Sequence, residues 1–105
     1  MPGTVKIACV QPSSTTDIAE NIALTEPMVR EAAAKGADIV TLPEVVNLCN
    51  RRGAEAKATA RIEAEEPSLA AYRALAKELG IWVLAGSLAI KLEDDDRLAN
   101  RCFLI

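Results

Sequence analysis

Glu44 closes the stretch DIVTLPE, residues 38–44, and is the side chain best placed for acid–base chemistry. Ile39, Val40, Thr41 and Leu42 are apolar or β-branched and predict a short buried strand, which Pro43 ends by withholding an N–H from the ladder. A carboxylate set just past such a strand end can take a proton from a nucleophile or from water; a solvated turn glutamate would occupy the same place, and both readings stand at this point. The chain contains no histidine, so proton transfer falls to carboxylates, lysines or a thiolate. Cys9, Cys49 and Cys102 are odd in number and lack metal-ligand spacing, which predicts free thiols in a reducing compartment; with no histidine present, no zinc or other metal site is expected. Cys49 lies five residues beyond Glu44 and suggests a base and nucleophile pair. Proximity along the chain fixes no attack geometry, however, and a buried structural thiol needs none. Gln11 at the end of an earlier strand is either a site residue or a loop amide. Asp94, Asp95 and Asp96 are adjacent and lack the spacing of a calcium loop.

The elements that must position Glu44 follow from periodicity. Residues 4–10, TVKIACV, predict a largely buried strand with Val5, Ile7 and Cys9 on one face and Lys6, Ala8 and Val10 on the other. Asp17 and Glu20 have capping-box spacing, and Ile18, Ile22, Thr25, Val29, Ala32 and Gly36 trace one side of a helix that Pro27 bends and Gly36 ends. Strand, crossover helix, strand predicts a parallel pair with a right-handed connection, which brings Gln11 and Glu44 to one rim. Residues 45–50, VVNLCN, are expected to lie over that rim. Val45, Val46 and Leu48 would then wall a cavity with Glu44 at its floor. Residues 54–64 predict a weakly packed surface helix with Ile62 as its one large anchor. A firmer helix runs from Pro67, with Leu69, Tyr72, Leu75, Ala76 and Leu79 inward, to Gly80.

A strand over residues 81–84 carries Trp82, after which Ala85, Gly86 and Ser87 allow close backbone approach. Residues 91–97, KLEDDDR, predict an exposed hairpin tip, and residues 98–105, LANRCFLI, a returning strand. A chain that stops within an apolar strand is expected to be truncated.

Composition bounds the alternatives. With 105 residues and 50 % apolar content, the chain is expected to form one domain with one modest core. Twelve basic against fifteen acidic residues, a net charge of -3 and single Phe, Trp and Tyr residues offer no basic stripe or stacking platform for nucleic acid. No apolar run approaches the length of a membrane span, which predicts a soluble, cytoplasmic protein.

The set VKIACVQ, Asn21, REAAAKGADIVTLPE, LAKELGIWVLAGS and NRCFLI resembles the N-terminal part of the nitrilase, or carbon-nitrogen hydrolase, superfamily, with its omega-amidase-like members nearest. The resemblance covers nearly all of this chain and well under half of a family member. It implies an α/β fold that is the first part of a four-layer α-β-β-α sandwich, no cofactor, a small amide substrate and a homo-oligomer as the full-length protein. It also implies a glutamate, lysine and cysteine catalytic set in which Glu44 is the general base. The lysine and the nucleophile would fall after Ile105, and neither Cys49 nor Cys102 matches the nucleophile. The chain alone is therefore expected to be an incomplete hydrolase, the alternative being an α/β fragment that serves structure or assembly.

Overall fold

The computed structural model describes residues 3–105. Its elements are β1 (Ile7–Cys9), α1 (Ile18–Ala34), β2 (Ile39–Leu42), α2 (Gly53–Thr59), α3 (Pro67–Leu79), β3 (Trp82–Lys91) and β4 (Leu98–Leu104), with a 3-10 turn at Glu63–Glu65. One sheet has the order β1-β2-β3-β4; β1, β2 and β3 are parallel, and β4 returns antiparallel to β3. The parallel strand-helix-strand start and the later helix and hairpin therefore form as their periodicities predict.

Alternation along the strands sorts the two faces. Val40, Leu42, Val83 and Ala85 turn to one side, where they pack with Val29 and Ala32 of α1 and with Leu69, Tyr72, Leu75 and Ala76 of α3. The other side of the sheet carries Ile7, Trp82 and Leu104, which are 60 %, 56 % and 64 % exposed. The main core, with α1 and α3, thus lies on one face of this mixed sheet. Among the described residues no helix is long and apolar enough to cross a membrane.

The helix boundaries follow their local chemistry. The Asp17 side chain accepts from the Glu20 N–H at 2.9 Å and caps α1, while Glu20 turns to Thr15 Oγ1 instead of completing the reciprocal half of a capping box. Pro27 lies within a single continuous helix, and Gly36, at φ 92°, makes the exit. Pro67 begins α3, and Gly80 ends it in the left-handed conformation.

Three expectations are corrected. β1 is not largely buried: it is an edge strand of three residues, exposed at Ile7 and Cys9, because it has a partner on one side and its outward face has no covering layer among the described residues. The surface helix stops at Thr59 instead of reaching residue 64. Ala60 turns extended and is buried, and the Arg61 carbonyl accepts from the Lys91 N–H at 2.8 Å, so a ladder contact replaces the next helical turn. The strand expected over residues 81–84 runs on to Lys91 through an irregularity between Ala85 and Leu88, where two residues of β3 oppose one of β4.

Candidate active site

β2 and β3 define the rim on which Glu44 sits. β2 pairs with β3 through Leu42 and Ala85, and the chain then leaves β2 at Pro43 directly over Gly86. A Cβ on Gly86 would overlap the Leu42 carbonyl oxygen and lie 2.8 Å from Pro43 C and 2.9 Å from Pro43 O. Only glycine lets the two backbones approach this closely. The bulge that follows aims Ser87 at the turn: its Oγ accepts from the Val45 N–H at 2.8 Å, and its carbonyl accepts from the Val46 N–H at 3.2 Å.

Val45 holds φ at 45°, a region that β-branched residues avoid. The surroundings over-determine that strain. Asn47, fully buried, donates from Nδ2 to the Ala89 carbonyl at 3.1 Å and accepts at Oδ1 from the Ala89 N–H at 2.9 Å. Its own carbonyl accepts from Asn21 Nδ2 on α1 at 2.9 Å. Asn21 also ties down Thr15, donating to its carbonyl and accepting its N–H, while Ser14 Oγ donates to the Val46 carbonyl. The turn bearing Glu44 is therefore clamped from the bulge, from β3 and from α1. Such a frame is how a strained backbone conformation persists.

Within this frame Glu44 is exposed. Its Oε1 accepts from Asn100 Nδ2 at 2.9 Å, and Oε2 accepts no hydrogen bond from the described residues. The expected cavity floor is not what this chain builds. Val46 turns into the main core and Leu48 into a second cluster with Ile18, Ala60 and Ala89, so neither walls the carboxylate. Asn100 alternates with Ala99 and Phe103, which pack into the main core, so Glu44 meets it on the side turned away from that core.

The remaining candidates are dispersed. Gln11 follows β1 at the same rim and lines an open groove of about 520 Å³ between β1 and α1, with Lys6, Cys9, Glu31 and Lys35 among its neighbours. All three cysteines are free and exposed, and among the described residues none is hydrogen-bonded to Glu44. Cys49 instead uses its backbone N–H to hold Thr15. Asp95 and Asp96 at the hairpin tip turn to different cations, Arg97 and Lys57. The Arg97 guanidinium holds the Asp95 carboxyl below its usual range. Among the described residues no group of three or more Cys, Asp or Glu is arranged to hold a metal ion.

Sequence reasoning missed Asn47 and Asn100, each a polar residue in an apolar stretch that carried no local signal of its partner. It also missed Glu66. This residue is 2 % exposed and caps α3 through Oε1, which accepts from the Ser68 N–H at 2.8 Å.

Residues 6–105 match the family model described as Carbon-nitrogen hydrolase. The chain is 34 % identical over 82 residues to N-carbamoylputrescine amidase of Arabidopsis thaliana, covering 75 % of this chain and 27 % of that protein. It is 32 % identical over 97 residues to Omega-amidase NIT2 of Danio rerio, covering 92 % of this chain and 34 % of that protein. The crystal structure of the C. elegans NitFhit protein superposes with a TM-score of 0.81 at 24 % identity, covering 97 % of this chain and 26 % of that one, and shows the shared fold. The chain thus spans about a quarter to a third of the length of these relatives.

Proposed function

Because the chain belongs to the carbon-nitrogen hydrolase family, we propose that it supplies the general-base region of a cysteine-dependent hydrolase acting on small carboxamides, with Glu44 as the base. The observation that carries this reading is the clamped, strained turn that presents Glu44 with one oxygen held by Asn100 and the other open. A glutamate serving only to solvate a turn needs no such frame.

In the proposed cycle, Glu44 accepts the proton of a cysteine thiol, and the thiolate attacks the amide carbon. A lysine ammonium stabilises the oxyanion of the tetrahedral intermediate. The proton returns from Glu44 to the amide nitrogen, the C–N bond breaks and ammonia leaves, giving a thioester. Glu44 then takes a proton from water, the resulting hydroxide attacks the thioester, and the carboxylic acid and the thiol are released. Cys9, Cys49 and Cys102 do not have the family's nucleophile pattern, so the reading assigns the lysine and the cysteine to a longer polypeptide in which this chain is the N-terminal portion. It likewise assigns to that polypeptide a second sheet over the face bearing Trp82, and homo-oligomeric assembly.

The second reading is a non-catalytic α/β unit used in assembly, favoured by the exposed apolar side chains Ile7, Trp82 and Leu104. Intact mass and ammonia release measured on the same native preparation separate the two. A mass several-fold above 11.2 kDa, with carboxamide hydrolysis that Glu44→Gln lowers by roughly 100-fold or more, is expected. Hydrolysis that survives Glu44→Gln in a folded protein removes Glu44 from the mechanism, and an inactive native protein of 11.2 kDa favours assembly.

A further inference from the structure

Among the described residues the amide of Asn100 is the one side chain that hydrogen-bonds the Glu44 carboxylate, with Nδ2 donating to Oε1 at 2.9 Å. We propose that Asn100 is a positioning residue, which fixes the rotation of that carboxylate so that Oε2 faces the proton it is to accept; this rests on Glu44 being the general base.

Three observations converge on it. The two residues are 56 apart in sequence and come from different elements, so their meeting is a product of the fold and not of a local turn. Asn100 lies within β4, paired with Ala89 of β3. Ala89 is in turn the residue whose N–H and carbonyl Asn47 grips, so donor and acceptor are referred to one rung of the sheet: Asn47 ties the Glu44 turn to Ala89, and the ladder ties Ala89 to Asn100. A donor mounted on a strand, aimed at a carboxylate mounted on a strained turn, gives both ends of the hydrogen bond a fixed frame. The chemistry also fits the residue type. A neutral amide N–H occupies one carboxylate oxygen without supplying a competing charge or an exchangeable acidic proton, whereas lysine or arginine there would hold the carboxylate as an ion pair. The other oxygen is left to cycle its proton twice per turnover, toward the thiol and then toward water.

The test uses the complete hydrolase polypeptide, with kcat, KM and the pH profile of kcat/KM for a small carboxamide. Asn100→Ala is expected to lower kcat roughly 10- to 100-fold with KM changed by less than about threefold, since orientation is lost and substrate binding is not. Asn100→Asp keeps the shape, removes the donor and places an anion beside Glu44. It is expected to lower kcat and, by setting a second anion next to Glu44, to move the acidic limb of the profile to higher pH, which reports that the two side chains face each other in the working enzyme. Asn100 is exposed, so both variants should fold; if Asn100→Ala does not, the isosteric Asn100→Asp carries the test. In a Glu44→Gln background, adding Asn100→Ala should have no further effect on the residual rate. Wild-type kcat with an unmoved acidic limb in Asn100→Asp, or a full additive loss in the double variant, would overturn the positioning role while leaving Glu44 as base. Undiminished turnover in Glu44→Gln alone would instead sink the catalytic reading and the positioning role with it.

Discussion

Asn47 holds Ala89 as a neighbouring strand would: its side-chain amide accepts the Ala89 N–H and donates to the Ala89 carbonyl, at 2.9 and 3.1 Å. β2 has ended five residues earlier, so β3 would otherwise carry an unpaired N–H and carbonyl into a buried setting. One side chain continues the ladder past the strand that stopped. It also leaves the main chain between Pro43 and Asn47 free to turn and present Glu44.

Asn47→Ala is therefore expected to destabilise by at least about 2 kcal/mol, because two buried backbone groups lose their partners at once. Denaturant unfolding would measure this. Asn47→Asp keeps an acceptor for the Ala89 N–H but sets its anion against the Ala89 carbonyl, and should also unfold early. Stability within error of wild type in Asn47→Ala would show that water replaces the amide at no cost.

Gly86→Ala tests the close approach that seats the turn. The added Cβ meets the Leu42 carbonyl and Pro43 backbone, which have no flexible end to move aside. An overpacking penalty of about 1–3 kcal/mol is expected, together with displacement of Glu44. Val45→Gly should act in the opposite direction on strain, relieving on the order of 1 kcal/mol of backbone cost at φ 45°, less the added entropy of the unfolded glycine. Thermal unfolding of the pair reads both; a Gly86→Ala variant as stable as wild type would contradict the contact.

Tyr72 supplies a pH dependence with a single reporter, as it is the chain's one tyrosine. Burial raises its pKa above the ordinary 10.0; the hydrogen bond with Thr25 opposes this, and the nearby Glu66 charge adds to it. A raised folded value means that the native state holds the proton more tightly. Its stabilising contribution is thus complete below about pH 10 and is lost as pH climbs through the folded value. Phenolate absorbance should rise only together with alkaline unfolding, and Tyr72→Phe should flatten this part of the stability profile relative to wild type. A phenolate that titrates at the ordinary value in folded protein would contradict the burial.

The open sheet face makes a prediction for the 105-residue chain in isolation. Ile7, Trp82 and Leu104 are each more than half exposed on a sheet whose edge strand β1 also has free backbone groups, and Val5, just before β1, is equally exposed. Self-association is expected, and sedimentation should show it. Trp82→Lys with Leu104→Lys should reduce it. A wild-type chain that sediments as a monodisperse monomer and unfolds cooperatively would mean that this face tolerates water.

The amino-acid sequence alone determined the elements whose causes are local. Asp17, Gly36, Pro67 and Gly80 carry helix starts and stops in their own side chains or in the lack of one, and Pro43 ends a strand wherever it is packed. Parallel pairing of β1 and β2 followed as well, since a single crossover helix between two short strands leaves little else possible. Even the need for Gly86 was partly legible, as a small residue where another backbone must come near. What only the tertiary structure decided were relations between distant residues. Asn47 and Asn100 are ordinary polar letters until a fold brings Ala89 and Glu44 to them, and no periodicity marks such a pair. The exposure of Glu44 and of β1 belongs to the same class. An apolar strand residue states that it can be buried, but whether a layer covers it depends on which surfaces the remaining elements reach, and here α1 and α3 both reach the same side of the sheet.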